Sequence, residues 1–430
     1  MNGFDISRVE KFRQLRKEIR GSERHLVVGI DVAKDKHNAF FGTARGKTVL
    51  KRLVFKNDIE GFEKLLRHVE AEKVKHSLDE VVFGFEPTAN YHKPLAEFLL
   101  KCAREVVLVS GAAVKHNREM LDGRWDKNDT KDPANIADLI CQGKFMYYDY
   151  PSPALRDLRN LLALKRALKK QEHRIKVRIR NNLLAQYFPE LDRYYRRWGS
   201  EMLSIVRWCL NPSVVAGLEY EDFVQLVAPG CRGTVIQKER LRAIWHKAVD
   251  SIGCDVGGTV EFEAKVMVEE LQQIREGTRA TADNIEELCL QFAEYSYLLS
   301  IPGFGPDVSS KILGYIGNPF RFNNGKQVLK MAGWDLSAKR SGKKSETVTP
   351  VVSKKGKADL RYALYQAAHI ASSRNRHFIL YYTNKLRGRE REKGIKTKMR
   401  VKLAAKLLII AWTLMKKAEF FNPDYLYLEE

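Results

Sequence analysis

The 430-residue sequence has few of the features found in secreted, zinc-stabilised or membrane-spanning chains. Its six cysteines are scattered, with no CxxC pair and no histidine at ligand spacing, which argues against a structural zinc site. Free thiols fit a reducing cytoplasm. Residues 1–21 lack the apolar core of a signal peptide. The longest apolar run, Leu403–Met415, is too short to span a bilayer and contains Lys406, so no membrane partner is expected.

Acidic residues are also scarce relative to basic ones. There are 53 Asp and Glu against 75 Lys and Arg, which gives a formal charge of +22. An enzyme of small anionic metabolites has no need of such an excess, whereas a partner with many phosphates does. The composition therefore indicates a nucleic-acid partner, and the length allows two or three domains with separate cores.

The N-terminal third alternates between strand and helix patterns. Apolar runs predict strands at Leu26–Ile30, around Ala39–Phe41, and at Thr48–Phe55, Glu80–Phe85 and Glu105–Val109. Helical spacing covers Ile59–Glu72, Tyr91–Cys102 and Asp132–Cys141. Three strands joined by hairpins, followed by strand–helix alternation, predict a mixed sheet with helices on its faces.

Two of the predicted strands end on a carboxylate. Asp31 follows the first strand and Glu86 follows the fourth. A charged acid next to an apolar core needs compensation, so each one either caps a turn or meets a cation. In open α/β sheets, the C-terminal ends of the strands form the edge where ligands bind.

A further pair of acids lies downstream in the segment RWDKNDTKDPANIADLI. Asp129 and Asp132 are three residues apart and therefore face one way on a helical turn. Together with the two strand-end acids they would form an oxygen-rich site suited to Mg2+ or Mn2+, and a pair of such ions can run phosphodiester chemistry. Asp132 precedes Pro133, so it also reads as a helix cap, and Asp126 is a rival ligand.

The middle of the chain has the pattern of long two-faced helices. Apolar residues recur every three or four positions from Leu155 to Phe188, and the stretch Phe262–Leu299 is a candidate return helix for a coiled coil. The remaining faces of the first helix are basic, either as a solvated surface or as a strut along nucleic acid. The candidate nucleic-acid contacts there are Lys165, Arg166, Lys169, Lys170 and Arg174.

The last third opens with a glycine-rich turn before a helix at Val308–Ile316. Gly303 and Gly305 lie in this turn, which is either a plain connection or an element that offers backbone N–H groups to DNA phosphates, as in a helix-hairpin-helix. A polar segment follows, then a new helix near Lys357. The segment Lys385–Lys406 carries ten Lys or Arg residues.

Several blocks resemble one known family. GIDVAK, FEPTANYH and KNDTKDPANIA are similar to the RuvC-like (RNase H-like) domain of DEDD transposases of the insertion-sequence IS one-ten family, which includes the Piv-type DNA invertases. SIPGFGP, FNNGKQVLKMAGW, RSGKK and VSKKGKADLRYAL resemble its C-terminal transposase domain. The resemblance implies a helical arm over 1–25, an α/β RuvC-like domain over 26–150, a helical coiled-coil region over 151–298, and a mostly α C-terminal domain over 299–430.

The resemblance also implies roles for individual residues. Its metal ligands would be Asp31, Glu86, Asp129 and Asp132. Its nucleophile would be Ser341, with Ser337, Ser345 and Ser353 as alternatives, and neighbouring cations would neutralise phosphate charge: Arg340, Lys343 and Lys344. The sequence departs from the family pattern in two places, because Pro133 replaces a common Ala and two lysines follow the Ser-Gly pair where a second Gly is common.

The implied function is that of a transposase or site-specific DNA recombinase guided by a structured bridge RNA. We expect double-stranded DNA, a non-coding RNA and further copies of the chain, as a dimer or tetramer, as partners. The expected location is the cytoplasm, with association to the nucleoid when DNA is bound. The main alternative is a RuvC-type junction nuclease without a covalent intermediate. An actin-like ATPase or sugar kinase would need a Gly/Thr-rich phosphate loop after Asp31, where the sequence has Val-Ala-Lys-Asp.

Overall fold

The structure, a computed structural model, describes residues 8–87, 89–122, 131–148, 150–195, 197–337 and 351–426. The chain folds into two compact units. The first extends to Pro151 and includes the short segment Phe320–Asn323, and the second comprises Ser152–Pro319 and the chain from Asn324 onward. The finer division at residues 25, 150 and 298 stays a prediction.

A six-stranded mixed sheet forms the centre of the first unit. Its strands are β1 (His25–Asp31), β2 (Lys36–Thr43), β3 (Thr48–Lys56), β4 (Glu80–Phe85), β5 (Glu105–Leu108) and β6 (Met146–Tyr147). They lie in the order β3-β2-β1-β4-β5-β6. The neighbours β1, β4 and β5 are parallel, whereas β2, β3 and β6 pair antiparallel with the strands beside them. The predicted mixed sheet is confirmed.

Helices cover both faces of this sheet. They are α1 (Arg8–Ile19), α2 (Ile59–Lys75), α3 (His92–Lys101), α4 (Gly111–Asp122) and α5 (Lys131–Cys141). On one face, Leu65 of α2 and Leu99 of α3 are fully buried in a core with alternate strand residues. On the other face, α1, α4 and α5 pack over the remaining strand residues, and Ile19 of α1 is fully buried there. This is the three-layer arrangement expected when strand and helix patterns alternate.

The second unit begins with a long helix and a cluster of shorter ones. A π-helical turn, Ile179–Leu184, follows the first helix. The helices are α6 (Pro153–Arg178), α7 (Ala185–Tyr187), α8 (Leu191–Tyr194), α9 (Ser200–Trp208), α10 (Pro212–Ala216), α11 (Tyr220–Val227), α12 (Val235–Val249) and α13 (Gly258–Cys289). Ile175 of α6 and Leu271 of α13 belong to one core. The two long helices therefore pack together, while a coiled coil in the strict sense stays a prediction.

The rest of the second unit is mostly helical. It contains α14 (Ala293–Leu299), α15 (Pro306–Ile316), α16 (Gly325–Ala332), β7 (Leu336–Ser337), β8 (Val351–Val352), α17 (Ala358–Arg374), α18 (Arg376–Leu386) and α19 (Ile395–Lys417). α15 packs closely on α6, because a Cβ at Gly314 would lie 2.6 Å from Leu162 Cδ1. Among the described residues, no helix is long and apolar enough to cross a membrane.

Most predicted elements match the observed ones, but there are several differences. The elements α4, β6, α16, β7, β8 and α18 were not predicted. The stretch Phe262–Leu299 is two helices, α13 and α14, separated at residues 290–292. The stretch Leu155–Phe188 is not one regular α-helix either, because the π-helical turn interrupts it after Arg178.

Candidate active site

The two strand-end acids lie side by side at one edge of the sheet. Ile30 of β1 and Phe85 of β4 are register partners in a parallel pair. Asp31 and Glu86 each follow by one residue, so they lie abreast on neighbouring strands, which run about 4.8 Å apart in a sheet. The prediction that both acids occupy the C-terminal edge of the strands is confirmed for these two residues.

Strand alternation decides which face these acids share. Val27 and Val82 are buried in the core under α4 and α5, whereas Val28 and Phe83 are buried in the core under α2 and α3. Because side chains alternate along a strand, the positions of Asp31 and Glu86 belong to the α4 and α5 face. Glu86 agrees with this, since its Oε1 would lie 2.5 Å from a Cβ placed on Gly111, the first residue of α4.

Two glycines let α5 approach this same face. Gly29 and Gly84 are register partners, each two residues before its acid. A Cβ at Gly29 would lie 2.7 Å from the Ala137 backbone nitrogen and closer still to the Pro133 carbonyl oxygen. A Cβ at Gly84 would instead collide with the side chain of Ile140. The missing side chains therefore allow α5 to cross these strands in backbone contact.

This crossing brings Asp132 to the acidic edge. The start of α5 lies over Gly29 through Pro133, while its last residue, Cys141, contacts the Thr43 carbonyl oxygen from its Sγ at 3.6 Å. Thr43 pairs with Leu26 near the beginning of β1, so α5 runs antiparallel to β1. Asp132, immediately before Pro133, therefore lies at the end of the sheet that carries Asp31 and Glu86.

Asp132 is already engaged with a cation of the protein. Its Oδ1 lies 2.5 Å from Arg118 Nη2 of α4, and both side chains are largely buried. α5 begins at Lys131, so Asp132 lies within the first helical turn and not before it, where the negative charge is favourable to the helix dipole. The cap interpretation of Asp132 is therefore wrong, and the ion pair with Arg118 was not predicted.

Buried amides hold α4 against α5. Asn117 Nδ2 donates to Asn135 Oδ1 at 2.6 Å and to Asp138 Oδ2 at 2.7 Å. Asn135 Nδ2 in turn donates to the Val114 carbonyl oxygen at 2.7 Å. Asn117 and Asn135 are only 3% and 2% exposed, so these bonds form out of water, where leaving them unmade is costly. The bonds fix the helix that carries Arg118 relative to the helix that carries Asp132.

The donor atoms suit a hard divalent cation, although the described acids alone do not complete a site. Asp31, Glu86 and Asp132 offer only carboxylate oxygens, the ligands that Mg2+ and Mn2+ prefer. Within the described part of the chain, no group of three or more His, Cys, Asp or Glu side chains is arranged to hold a metal ion. Asp129 and its rival Asp126 lie outside the described residues.

The predicted nucleophile belongs to a segment whose two ends are paired. Ser341, with Ser345, Arg340, Lys343 and Lys344, lies outside the described residues. On either side of that segment, β7 and β8 pair antiparallel, with Leu336 opposite Val352. Beside them, the alternative nucleophile Ser353 donates from its hydroxyl to Asp335 Oδ1 at 2.5 Å. Ser353 thus has a structural role beside the paired strands β7 and β8.

The basic residues predicted on α6 differ in their surroundings. Lys165 Nζ bonds Asp307 Oδ1 at 3.0 Å, and Lys169 Nζ bonds Glu172 Oε2 at 3.1 Å. Arg166 lies 3.7 Å from Asp359. Lys170 and Arg174 are exposed, and neither forms an ion pair with another described residue. Lys165 and Arg166 therefore link α6 to α15 and α17, and Lys169 pairs within α6, which leaves Lys170 and Arg174 for an external anion.

The glycine-rich turn has a packing role that the sequence did not indicate. Gly303 has φ +90°, and a Cβ there would lie 2.6 Å from the Ala367 carbonyl oxygen of α17. Gly305 is the residue before α15, whose first turn contains Asp307. Burial would raise the pKa of Asp307, but hydrogen bonds from Lys311 and Lys165 hold it below its ordinary value. The grip on DNA phosphates stays a prediction.

Comparison with known proteins agrees with this architecture, a mixed α/β unit consistent with a RuvC-like fold followed by a mostly helical region. Residues 28–189 match a family model of DEDD transposases described as "Transposase", and residues 295–383 match one described as "Transposase IS116/IS110/IS902 family". The chain is 24% identical over 183 residues to "Putative transposase y4uE" of Sinorhizobium fredii (strain NBRC 101917 / NGR234). That match covers 42% of this chain, and the chain spans about half the length of this curated relative.

The first unit thus has a mixed α/β fold consistent with a RuvC-like domain, with acids at the ends of adjacent parallel strands. With the second family model matching the helical C-terminal part, the chain belongs to the IS110 family of transposases.

Proposed function

We propose that this chain is the transposase of an insertion sequence and that it cleaves and rejoins DNA strands. One observation carries the proposal. Asp31 and Glu86 lie abreast on adjacent parallel strands, and α5 crosses the same face with Asp132 at the same edge. Acids gathered at one edge of the sheet are hard to explain in a protein that only binds DNA, because negative charge there opposes the approach of phosphates unless a cation lies between them.

A divalent cation, Mg2+ or Mn2+, would be held by Asp31, Glu86, Asp129 and Asp132. Such an ion stabilises negative charge on a phosphate under attack. Asp31 and Glu86 would supply the fixed part of this site, because Asp31 is the last residue of β1 and Glu86 directly follows β4. Asp132 reaches it from the first turn of α5 while Arg118 balances its charge.

Ser341 would supply the nucleophile from the segment between β7 and β8. Its hydroxyl attacks a backbone phosphorus, and one strand-end hydroxyl leaves as the phosphoserine ester forms. The serine proton passes to a nearby base or to solvent. Because one ester replaces another, the energy of the broken bond is kept for rejoining. Arg340, Lys343 and Lys344 would neutralise the phosphate charge that develops.

The partners extend beyond a single DNA duplex. Exchange involves four strands, which favours a dimer or tetramer of the chain, and a structured bridge RNA would pair element DNA with target DNA. The charge of +22 supports binding of both nucleic acids. The packed helices α6 and α13 are candidates for a coiled coil, and the turn at Gly303 and Gly305 for a phosphate contact. The proposed location is the cytoplasm, at the nucleoid.

The deciding experiment separates this function from a RuvC-type nuclease. The protein is incubated with element DNA, its RNA and Mg2+, then denatured, and protein–DNA adducts are mapped by peptide sequencing. We expect a phosphoserine at position 341 that is absent from Ser341→Ala. Asp31→Ala and Glu86→Ala should abolish cleavage while DNA affinity changes little. Nicks with free ends and no adduct would instead identify a nuclease, and full recombination by Ser341→Ala would refute the proposed nucleophile.

A further inference from the structure

The helical segment between α6 and α13 contains a concave pocket for which the proposed function has no use. The pocket, here called the α9 pocket, has a volume of about 460 Å³ and lies at the beginning of α9. Its wall is rich in arginine and tyrosine, and the residues that matter here are Arg193, Tyr194, Tyr195, Arg197, Gly199 and Arg240. Its size is that of a small-ligand site.

One wall of the α9 pocket is rigid. Arg240 donates to Glu201 twice, from Nε to Oε1 and from Nη2 to Oε2, both at 2.8 Å. The Tyr195 hydroxyl donates to Oε1 at 2.5 Å, and Gln237 donates to Oε2. Burial would raise the pKa of Glu201, but these hydrogen bonds, led by that from Arg240, hold it below its ordinary value. Glu201 is therefore a buried, charged and fully engaged carboxylate.

Two acids close in sequence to the pocket residues are engaged as well. Asp192 accepts from Arg180 Nε at 2.6 Å. Glu190 is buried and accepts from Ser251 Oγ at 2.9 Å and from the Ile252 backbone at 3.1 Å. Arg193 and Arg197 line the pocket and are exposed, and neither forms an ion pair with another described residue. The pocket thus presents two positive charges that its own acids do not neutralise.

Aromatic surface lies directly beside these charges. The Arg240 guanidinium lies 5.1 Å from the centre of the Tyr195 ring, which keeps that ring in place. Tyr194, the neighbouring residue, is half-buried against the core of the helical segment and lines the pocket. Exposed ring surface next to unpaired arginines is the combination that holds a base by stacking and its phosphate by charge.

We propose that the α9 pocket binds an unpaired nucleotide of a single-stranded nucleic acid. Arg193 and Arg197 contact the backbone phosphates, and Tyr194 stacks on the base. A duplex is disfavoured because its bases are already stacked inside the helix and cannot enter a concave pocket. RNA loops and displaced DNA strands share the required chemistry. The inference rests on the second unit alone and holds whether or not Ser341 cleaves DNA.

The test uses the full-length protein and fluorescent 12-nucleotide probes of one mixed sequence, as RNA, as single-stranded DNA and as duplex DNA. The pocket variant is Arg193→Ala/Arg197→Ala. Its matched control, Lys238→Ala/Arg279→Ala, removes the same charge from exposed residues of α12 and α13. Each neutralised phosphate of a single strand contributes about 0.7 to the slope of log K against log salt. We expect the pocket variant to lower that slope by about 1.4 and the control to leave it nearly unchanged.

Substitutions of Tyr194 test the stacking of its ring on the base separately from the phosphate contacts. Tyr194→Leu should weaken single-strand binding by about 5- to 150-fold, whereas Tyr194→Phe should retain it. Gly199→Leu should also weaken binding without altering charge, since a Cβ at Gly199 meets no atom within 4 Å. Unchanged thermal unfolding would show that each variant is folded. Ultraviolet crosslinks should map to residues 191–202, preferentially from RNA if the source is RNA and from DNA if it is a displaced strand.

Three results would overturn the proposal. One is an equal loss of affinity in the pocket variant and its control. Another is a pocket variant whose affinity for duplex DNA falls, relative to the wild type, as far as its affinity for single strands. The third is a Tyr194→Leu protein that binds like the wild type. None of these measurements depends on strand cleavage. Failure of the pocket proposal is therefore distinguishable from failure of the proposed transposase function.

Discussion

A single methyl group tests how closely α5 must approach the sheet. In Gly29→Ala the new Cβ would lie 2.7 Å from the Ala137 nitrogen and nearer still to the Pro133 carbonyl oxygen. Ordinary contact begins near 3.4 Å. Both neighbours are backbone atoms of one helix, so no side-chain rotation relieves the clash. α5 must therefore retreat by about 0.7 Å to relieve the contact with the Ala137 nitrogen, and further to relieve the contact with the Pro133 carbonyl oxygen.

The expected magnitudes follow from this displacement. Overpacking of a core costs about 1–3 kcal/mol of unfolding free energy. Asp132 precedes Pro133 directly, so the acid moves with the helix. A misplacement near 1 Å costs about 100-fold in rate in a positioned active site. We therefore expect Gly29→Ala to retain its fold, lose roughly 2 kcal/mol, and cleave DNA about 100-fold more slowly.

The register partner on the neighbouring strand provides the control. A Cβ at Gly84 meets mainly the Ile140 side chain, including Cγ1 at 3.2 Å, and this side chain can change its rotamer. Gly84→Ala should cost stability without moving the start of α5, so its cleavage rate should fall far less. Urea unfolding gives the stabilities and a nicking assay gives the rates. Equal rates for the two variants would refute the argument that the backbone contact at Gly29 positions Asp132.

Three further predictions concern charge. Burial would raise the pKa of Glu172, but hydrogen bonds from Lys176 and Lys169 lower it to about 2. Glu172→Gln should therefore lower the free energy of unfolding at pH 7, measured with urea, by about 2 kcal/mol. This difference between the variant and the wild type should shrink as pH falls from 4.5 towards 2. Burial lowers the pKa of His37, so below pH 6.5 the unfolded state binds more protons than the folded state. As pH decreases from 6.5, the free energy of unfolding should therefore decrease by up to about 1.4 kcal/mol per pH unit. His37→Leu should reduce this slope. Removing both exposed cations of α6, in Lys170→Ala/Arg174→Ala, should lower the salt slope of duplex binding by up to about 1.8, whereas an unchanged slope would exclude them from the interface.

Hydrophobic pattern was sufficient to predict most of the sheet. The strands β1 to β5 are apolar runs bounded by polar turns, and each was expected within a few residues of its observed bounds. α4 was missed for a physical reason. Part of its buried face is polar, since Asn117 is 3% exposed and bonds Asn135 and Asp138. A helix that buries amides has no clear apolar stripe, so periodicity gives little signal.

Ion pairing was harder to foresee than position. The sequence indicated that Asp132 lies near the other acids, but Arg118 belongs to the unpredicted helix, so its pairing with Asp132 had no basis in local pattern. The same holds for Lys165, which reads as a surface cation and instead bonds Asp307, 142 residues further on. The distribution of charged residues along the sequence indicates which segments are basic or acidic. It does not indicate which residue each charged side chain pairs with, because that depends on tertiary contacts. The ligand roles of Asp31, Glu86, Asp129 and Asp132 and the nucleophile role of Ser341 all stay predictions.

One signal for the site was present in the sequence and concerns spacing. Gly29-Ile30-Asp31 and Gly84-Phe85-Glu86 share the order glycine, apolar residue, acid, at the ends of two strands that turn out to be neighbours. On a strand, the glycine and the acid point to one face while the apolar residue between them points to the other core. The glycine removes the bulk that would keep a helix away, and the acid stands where that helix begins. The repeated triplet thus encodes both the close packing of α5 and the placement of Asp31 and Glu86 side by side at the edge where α5 begins.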